Sequence, residues 1–164
     1  MDFCVPTGNF GDILAGYYAK QMGLPVGRLV CASNKNNVLT DFLRTGTYDA
    51  RRTFYKTTSP SMDILISSNL ERLLYHVSGS SEKVAGWMQE LSATGKYTVD
   101  AETLAKIQQS FAAGYADDAD GAAEIKARFD GDHYLCDTHT AVAFRVAETR
   151  RTDAPMVVLS TASP

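Results

Sequence analysis

A chain of 164 residues with a hydrophobic fraction of 45% is long enough to bury a core and suits one compact domain. Its formal net charge of −3 argues against nucleic acid as the main partner, because nucleic-acid-binding domains need a basic surface. No apolar run approaches the length of a membrane span and no signal peptide is visible, so we expect a cytoplasmic protein without membrane contact. The scattered residues Cys4, Cys31 and Cys136 lack metal-ligand spacing, so they are expected to be reduced, buried thiols, and no metal site is predicted.

The chain opens with a pattern typical of an anion-binding loop. A strand at about residues 2–6 is followed by a turn containing Gly8 and Gly11 and by a helix at about 11–23. Glycines tolerate unusual backbone angles and let a ligand approach the main chain closely. A helix start offers unpaired N–H groups and a partial positive charge, so phosphate is the natural guest. A Gly-x-x-Gly turn alone is equally compatible with a tight connection that binds nothing.

The next segment supports a ligand site at the same edge of a sheet. Gly23-Leu24-Pro25 ends the helix, and a buried strand follows at 28–33. The three elements predict a βαβ unit with parallel strands and a right-handed crossover. The second strand ends in the polar loop 34–37, and ligands of open parallel sheets bind at the carboxyl ends of the strands.

The remainder is predicted to be mostly helical. A short helix at about 37–45 ends at Gly46, and a brief strand is expected at 53–55. A helix interrupted or bent near 67–69 is expected over 62–77. The segment at about 80–130 is predicted to be a helical insertion without strands, its helices starting at Ser80 or Ser81, at Asp100, and at Asp118 or Asp120. The acidic residues 117–120 favour a helix start over a metal site. A last helix at 139–150 leads to a strand at 156–160.

Five segments resemble, in order, motifs of the threonine synthases, which belong to the tryptophan-synthase-β-like group of pyridoxal-phosphate enzymes. The matching segments are 5–16, 32–39, 59–64, 137–143 and 159–164. They span the chain from end to end, with one departure at Thr138, where the family commonly has proline. The resemblance implies an α/β fold: a partial open parallel sheet with flanking helices, as a truncated fold type II pyridoxal-phosphate enzyme. It further implies one carboxyl-terminal, cofactor-phosphate-binding domain over 1–164.

The family reaction converts O-phosphohomoserine and water into threonine and phosphate with pyridoxal phosphate. The resemblance implies that main-chain N–H groups hold the cofactor phosphate, and it makes the Thr161 hydroxyl the partner of the ring nitrogen. The alternative for Thr161 is simply the end of a strand. The residues implied for the phosphate are Gly8, Asn9, Phe10, Gly11 and Asp12.

Substrate contacts are expected from the loop residues Asn34 and Lys35, and from Ser61 and His139. A capping serine and a helix-start histidine are equally good interpretations of the last two. No catalytic residue is expected, because the family's Schiff-base lysine lies upstream of the glycine loop. The chain is therefore expected to be inactive alone and to have the upstream domain of the same enzyme as its partner.

Two other functions remain open. One is a fragment of a different fold type II lyase or dehydratase, against which the segments 59–63 and 160–164 argue. The other is a non-catalytic phosphate-binding module. The loop is not followed by the lysine and hydroxyl pair of a nucleoside-triphosphate site, which disfavours such a ligand.

Overall fold

The computed structural model describes residues 1–164. In chain order its elements are β1 (Asp2–Pro6), α1 (Gly11–Gln21), β2 (Leu29–Ser33), α2 (Val38–Thr45), β3 (Thr47–Asp49), a 3₁₀ turn (Pro60–Met62), α3 (Leu70–Ser78), α4 (Ser81–Thr94), β4 (Lys96–Thr98), α5 (Ala101–Gln108), β5 (Phe111–Tyr115), α6 (Asp118–Asp132), α7 (Thr138–Thr149) and β6 (Met156–Val158).

The central sheet has four parallel strands in the order β5-β2-β1-β6. Every residue of β2 is buried, because this strand has a neighbour on each side and helices cover both faces of the sheet. The strands β3 and β4 pair separately as a short antiparallel ribbon. The predicted α/β fold, with a partial parallel sheet and flanking helices, is confirmed.

The core lies on both faces of the sheet. The larger cluster contains 21 buried residues and includes an aromatic group in which the rings of Tyr48 and Tyr97 stack at 5.4 Å. The smaller cluster of nine buried residues is formed where α7 packs against β1 and β2, with Cys4 and Val146 among its members.

The prediction that residues 80–130 contain no strand is wrong. This segment contains β4 and the sheet strand β5, which pairs with β2 from Leu29↔Phe111 to Ser33↔Tyr115. Phe111 stands at helical spacing from Leu104 and Ile107, and β5 has no β-branched residue, so its sequence lacks a strand signal. Pairing with β2 and packing against α2 and α7 stabilise the strand conformation instead.

Two further element predictions need correction. Residues 53–55 form no strand, and the short strand in this region is β3. The helix expected over 62–77 is helical only after the predicted interruption, where α3 begins at Leu70, and a 3₁₀ turn and an irregular stretch precede it. The irregular stretch contains residues that contact the glycine loop, as described below.

Helix starts in the second half of the chain follow the predicted caps. The side chains of Ser80 and Asp100 accept hydrogen bonds from the N–H groups three residues later. The acidic cluster forms a capping box in which the side chains of Asp117 and Asp120 each accept from the other's N–H. The interpretation of this cluster as a helix start is confirmed, and α6 begins at Asp118, one of the two predicted positions. No helix combines the length and the apolar composition that a bilayer crossing requires.

The buried thiols predict an alkaline loss of stability. Cys4, Cys31 and Cys136 form no disulfide and are buried, and burial raises the pKa of Cys4 and of Cys31 to about 12. Because these folded-state values lie above the ordinary value of a thiol, their stabilisation is complete at low pH and is lost as the pH rises through the ordinary and then the folded value. We expect the free energy of unfolding to fall above about pH 9, by about 1.4 kcal/mol per pH unit for each thiol.

Urea unfolding at a series of pH values measures this slope. Cys4→Ala removes one titrating group and is expected to reduce the slope by about one proton. A free energy of unfolding that stays constant from about pH 8 to about pH 11 contradicts the prediction.

Candidate functional site: the glycine loop at the carboxyl edge of the sheet

The loop between β1 and α1 turns at Phe10, which has a left-handed backbone (φ 62°, ψ 12°). Gly8 and Gly11 do not have positive φ, so the expectation that the glycines supply the unusual angles is wrong. A left-handed conformation is uncommon for a bulky residue. It is held here because the Phe10 ring is buried, with its centroid 5.6 Å from that of Phe111. A left-handed residue beside right-handed helical ones turns successive N–H groups into an anion-binding concavity.

The main-chain N–H groups of residues 8–13 donate no hydrogen bond within the protein. The first helical bond is made by the N–H of Leu14, which donates to the carbonyl oxygen of Phe10 at 3.2 Å. The residue before α1 provides no side-chain cap. A capping side chain commonly accepts from one of the first N–H groups of a helix. Because α1 has no such cap, the loop retains its N–H donors for an external anion.

These N–H groups border a cavity of about 290 Å³. Besides residues 6–13, its lining consists of Ser61, Met62, Asn69, His139 and Thr161. The structure therefore brings together, from distant parts of the chain, the predicted phosphate loop 8–12 and three other predicted site residues, Ser61, His139 and Thr161. The two remaining predicted residues, Asn34 and Lys35, do not line this cavity.

Position 8 requires glycine because the main chain of the 3₁₀ turn packs closely against it. A Cβ atom at this position would lie 2.8 Å from the carbonyl oxygen of Ser61 and 3.1 Å from the Cα atom of Met62. Both are main-chain atoms of the 3₁₀ turn, so neither moves without moving the chain. Gly11 is different, because a Cβ atom there would meet only the amide nitrogen of Asn69, at 3.7 Å.

A clamp formed by Ser67, Ser68 and Asn69 holds the outer side of the loop, and the sequence interpretation missed it. The Ser67 hydroxyl donates to the carbonyl oxygen of Gly8 at 2.9 Å, and the Asn69 amide donates to that of Asn9 at 2.9 Å. The side-chain oxygen of Asn9 accepts from the N–H and the hydroxyl of Ser68, both at 2.8 Å. The loop's carbonyl groups are thus bonded on one side, while its N–H groups remain free. The sequence signal for this clamp was the run of three small polar residues directly before the helix α3.

Asn34 belongs to a buried network of hydrogen bonds. It is 1% exposed, and its amide group donates to Asp63 Oδ1 at 2.8 Å and to Thr57 Oγ1 at 2.9 Å. Asp63 Oδ1 also accepts from the Asn36 amide at 3.0 Å, and its Oδ2 accepts from the N–H of Thr57 at 2.9 Å. This buried network joins the loop after β2 to the 3₁₀ turn, and so positions Ser61 against Gly8.

Lys35 lies on the surface, outside the cavity. Its ammonium group lies 4.4 Å from the centroid of the Tyr55 ring, at a distance that permits a cation–π contact. The structure offers no lysine among the residues that line the glycine-loop cavity.

His139 is held at the rim of the cavity by partners on both ring nitrogens. Nδ1 lies 3.2 Å from Asp137 Oδ1, and Nε2 accepts from the N–H of Ser61 at 3.2 Å. Burial would raise the pKa of Asp137, but hydrogen bonds from Thr140 and His139 hold that pKa below its usual value. Asp137 also caps α7 by accepting from the N–H groups of His139 and Thr140. An ionised carboxylate beside Nδ1 favours the tautomer with its proton on Nδ1, which leaves Nε2 as the acceptor.

The hydroxyl of Tyr48 holds the clamp in place through hydrogen bonds to the main chain at Leu65 and Ser67. It donates to the carbonyl oxygen of Leu65 at 2.9 Å and accepts from the N–H of Ser67 at 2.9 Å. Tyr48→Phe keeps the ring and removes both bonds, so we expect the free energy of unfolding to fall by about 1–2 kcal/mol. Tyr97→Phe is the matched control, because the stacked Tyr97 ring is equally buried and its hydroxyl makes no hydrogen bond. Urea denaturation of both variants measures the difference, and equal losses contradict the assigned role of the Tyr48 hydroxyl.

Comparison with solved structures gives close matches along the whole chain. The pyridoxal-phosphate-bound threonine synthase from Brucella melitensis is 46% identical, with a TM-score of 0.97 over 100% of this chain and 36% of that chain. Threonine synthase from yeast is 38% identical, with a TM-score of 0.92 over 99% of this chain and 36% of that chain. Maize serine racemase, 11% identical with a TM-score of 0.56, shares the fold alone.

Curated sequences agree. Threonine synthase of Pseudomonas aeruginosa is 42% identical over 165 residues, and human threonine synthase-like 1 is 41% identical over 165 residues, in each case covering 99% of this chain. The chain spans 35% of the length of the Pseudomonas protein and 22% of the human one. No model of a protein family matches.

The parallel sheet, the glycine loop at its carboxyl edge and the structural matches define part of a fold type II pyridoxal-phosphate enzyme. Within that class the chain is similar along its whole length to threonine synthases, and it spans about a third of the length of the Brucella, yeast and Pseudomonas enzymes.

Proposed function

We propose that this chain is the carboxyl-terminal, cofactor-phosphate-binding domain of a cytoplasmic threonine synthase, comprising residues 1–164. The parent enzyme is a carbon–oxygen lyase that converts O-phosphohomoserine and water into threonine and phosphate with pyridoxal phosphate. The observation that carries the proposal is the run of unbonded N–H groups at residues 8–13, in a chain that aligns with threonine synthases along its whole length.

The residues of the cavity fit the phosphate group of this cofactor. Its charge is met by oriented N–H donors at a helix start, which are stronger partners for an anion than for a neutral acceptor. Asp12 bears the carboxylate nearest to the loop in sequence, and this side chain is exposed in the first turn of α1. Only the N–H of Asp12 therefore belongs to the phosphate site.

When bound, pyridoxal phosphate withdraws electrons from the substrate's α-carbon. The chain's own contribution is binding and orientation. The N–H groups of the loop 8–12 would hold the phosphate, and Thr161, which also lines the cavity, would donate its hydroxyl to the ring nitrogen. A hydroxyl does not enforce protonation of that nitrogen, whereas a carboxylate would.

Ser61 and His139 form the substrate side of the cavity in this proposal. Because Asp137 fixes the Nδ1 proton, His139 presents Nε2 beside the N–H of Ser61. The Nε2 lone pair is taken by the N–H of Ser61, so the group that this pair offers to a polar substrate is the Ser61 hydroxyl. Asn34 acts through the Asp63 network as a positioning residue for Ser61, and Lys35 has no contact with the cavity.

The lysine that carries the cofactor in this family belongs to the upstream domain, so we expect the 164-residue chain to bind pyridoxal phosphate without covalent attachment and to form no threonine. Borohydride reduction after cofactor addition, followed by mass spectrometry of tryptic peptides, tests this expectation. No lysine should be labelled to one equivalent. Labelling of one lysine to one equivalent, Lys35 above all, with loss of the label in Lys35→Arg, would contradict the proposal.

A further inference from the structure

A second cavity, of about 440 Å³, lies at the amino-terminal edge of the sheet, opposite the glycine loop. Three arginines line it. Arg28 directly precedes β2, Arg44 lies in the last turn of α2, and Arg150 follows α7. No carboxylate side chain is among the lining residues. In a protein with a formal net charge of −3, this convergence of guanidinium groups requires an explanation.

Two of these guanidinium groups have no counter-charge in the protein. Arg28 is paired with Asp2, with Nε and Oδ2 3.5 Å apart, and it donates from Nη2 to the carbonyl oxygen of Arg150 at 3.0 Å. Neither Arg44 nor Arg150 forms an ion pair. The arginines that do are Arg28, Arg51, Arg52, Arg128 and Arg145.

The Nε–H of Arg150 is enclosed by protein and has no hydrogen-bond acceptor. An unpaired donor on a cation is costly to bury, so buried donors of this kind are normally satisfied. The guanidinium lies beside Gly114. A Cβ atom there would lie 2.8 Å from Val146 Cγ1 and 3.6 Å from Arg150 Nε.

From this geometry we propose that the arginine cavity, formed by Arg28, Arg44, Gln108 and Arg150, binds a small oxyanion, either a phosphate ester or a carboxylic acid. A guanidinium group can donate two parallel hydrogen bonds to a pair of oxygens on either group. The volume leaves room for a carbon skeleton attached to the anionic group. The cavity is separate from the glycine loop and shares no lining residue with it.

The test uses the 164-residue chain, with inorganic phosphate and malonate as separate probes. The Nε–H signal of Arg150 is followed by ¹⁵N NMR, together with the main-chain signals of residues 8–13, so that the two cavities are observed independently. We expect a saturable shift of the Arg150 signal. Arg44→Gln, at an exposed position where folding is not at risk, should weaken that binding by about tenfold or more. Arg145→Gln is the matched control on α7, whose side chain faces Asp120, and should leave the affinity unchanged.

A shift with phosphate assigns the cavity to phosphate esters, a shift with malonate alone assigns it to carboxylic acids, and either result supports the proposal. An unchanged Arg150 signal at probe concentrations that saturate the glycine loop overturns it. Equal affinity in the wild type and Arg44→Gln overturns it as well. Neither result bears on the glycine loop, whose signals report its own binding.

Discussion

Gly8→Ala is expected to abolish most of the anion affinity of the glycine loop. The new Cβ atom would lie 2.8 Å from the carbonyl oxygen of Ser61, a main-chain atom, so the loop and the 3₁₀ turn must separate. Overpacking of this kind costs about 1–3 kcal/mol of stability. The displaced N–H groups should weaken pyridoxal-phosphate binding by about tenfold or more, because several oriented hydrogen bonds to one phosphate change together.

Gly11→Ala is the matched control, since the same added methyl group meets only Asn69 Nδ2, at 3.7 Å. Residue 11 begins α1, where alanine is the better helix former, so stability should be unchanged or rise by up to about 1 kcal/mol. The dependence of the melting temperature on pyridoxal-phosphate concentration gives both affinities. The measurement is made in the Arg44→Gln background, which reduces any contribution of the arginine cavity. Equal affinities in the two glycine variants would contradict the close packing assigned to Gly8.

Asp63→Ala is expected to lower the free energy of unfolding by about 3 kcal/mol, because it leaves buried donors without an acceptor. Its carboxylate accepts from the amide groups of Asn34 and Asn36, which are 1% and 4% exposed, and from the N–H and hydroxyl of Thr57. The same loss should loosen the 3₁₀ turn that contains Ser61 and so weaken phosphate binding at Gly8. Urea unfolding and a phosphate titration measure the two effects.

Asp130→Ala provides the control for removal of a carboxylate. Asp130 is exposed near the end of α6 and pairs only with Lys126, so its loss should change the stability by no more than about 0.5 kcal/mol. If Asp63→Ala proved as mild as Asp130→Ala, the network would not be the support of the site.

The first part of the fold could be predicted because its signals are local. Strand, turn, helix and strand follow one another over residues 2–33, and each boundary is marked by a glycine or a proline. Ser80 and Asp100 are likewise recognisable, since a capping side chain bonds to an N–H group three residues away. These features depend on neighbours in sequence, so the sequence is sufficient to identify them.

The parts that could not be predicted depend on contacts between distant residues. The strand β5 exists because β2 pairs with it and because Gly114 lets α7 approach, neither of which is visible in the residues 111–115 themselves. The left-handed conformation of Phe10 is held by burial of its ring against Phe111. The side chains of Ser67 and Asn69 donate hydrogen bonds to the glycine loop, at residues that lie 59 and 60 positions earlier in the chain.

The central claim is that the N–H groups of residues 8–13 bind the phosphate of pyridoxal phosphate. The most direct measurement is a titration of the ¹⁵N-labelled chain with this cofactor, followed at the amide signals of those residues, with pyridoxal, which lacks the phosphate, as the control. We predict saturable shifts at residues 8–13 with pyridoxal phosphate and none with pyridoxal. Equal shifts with both compounds, or no shift at these amides, would contradict the account.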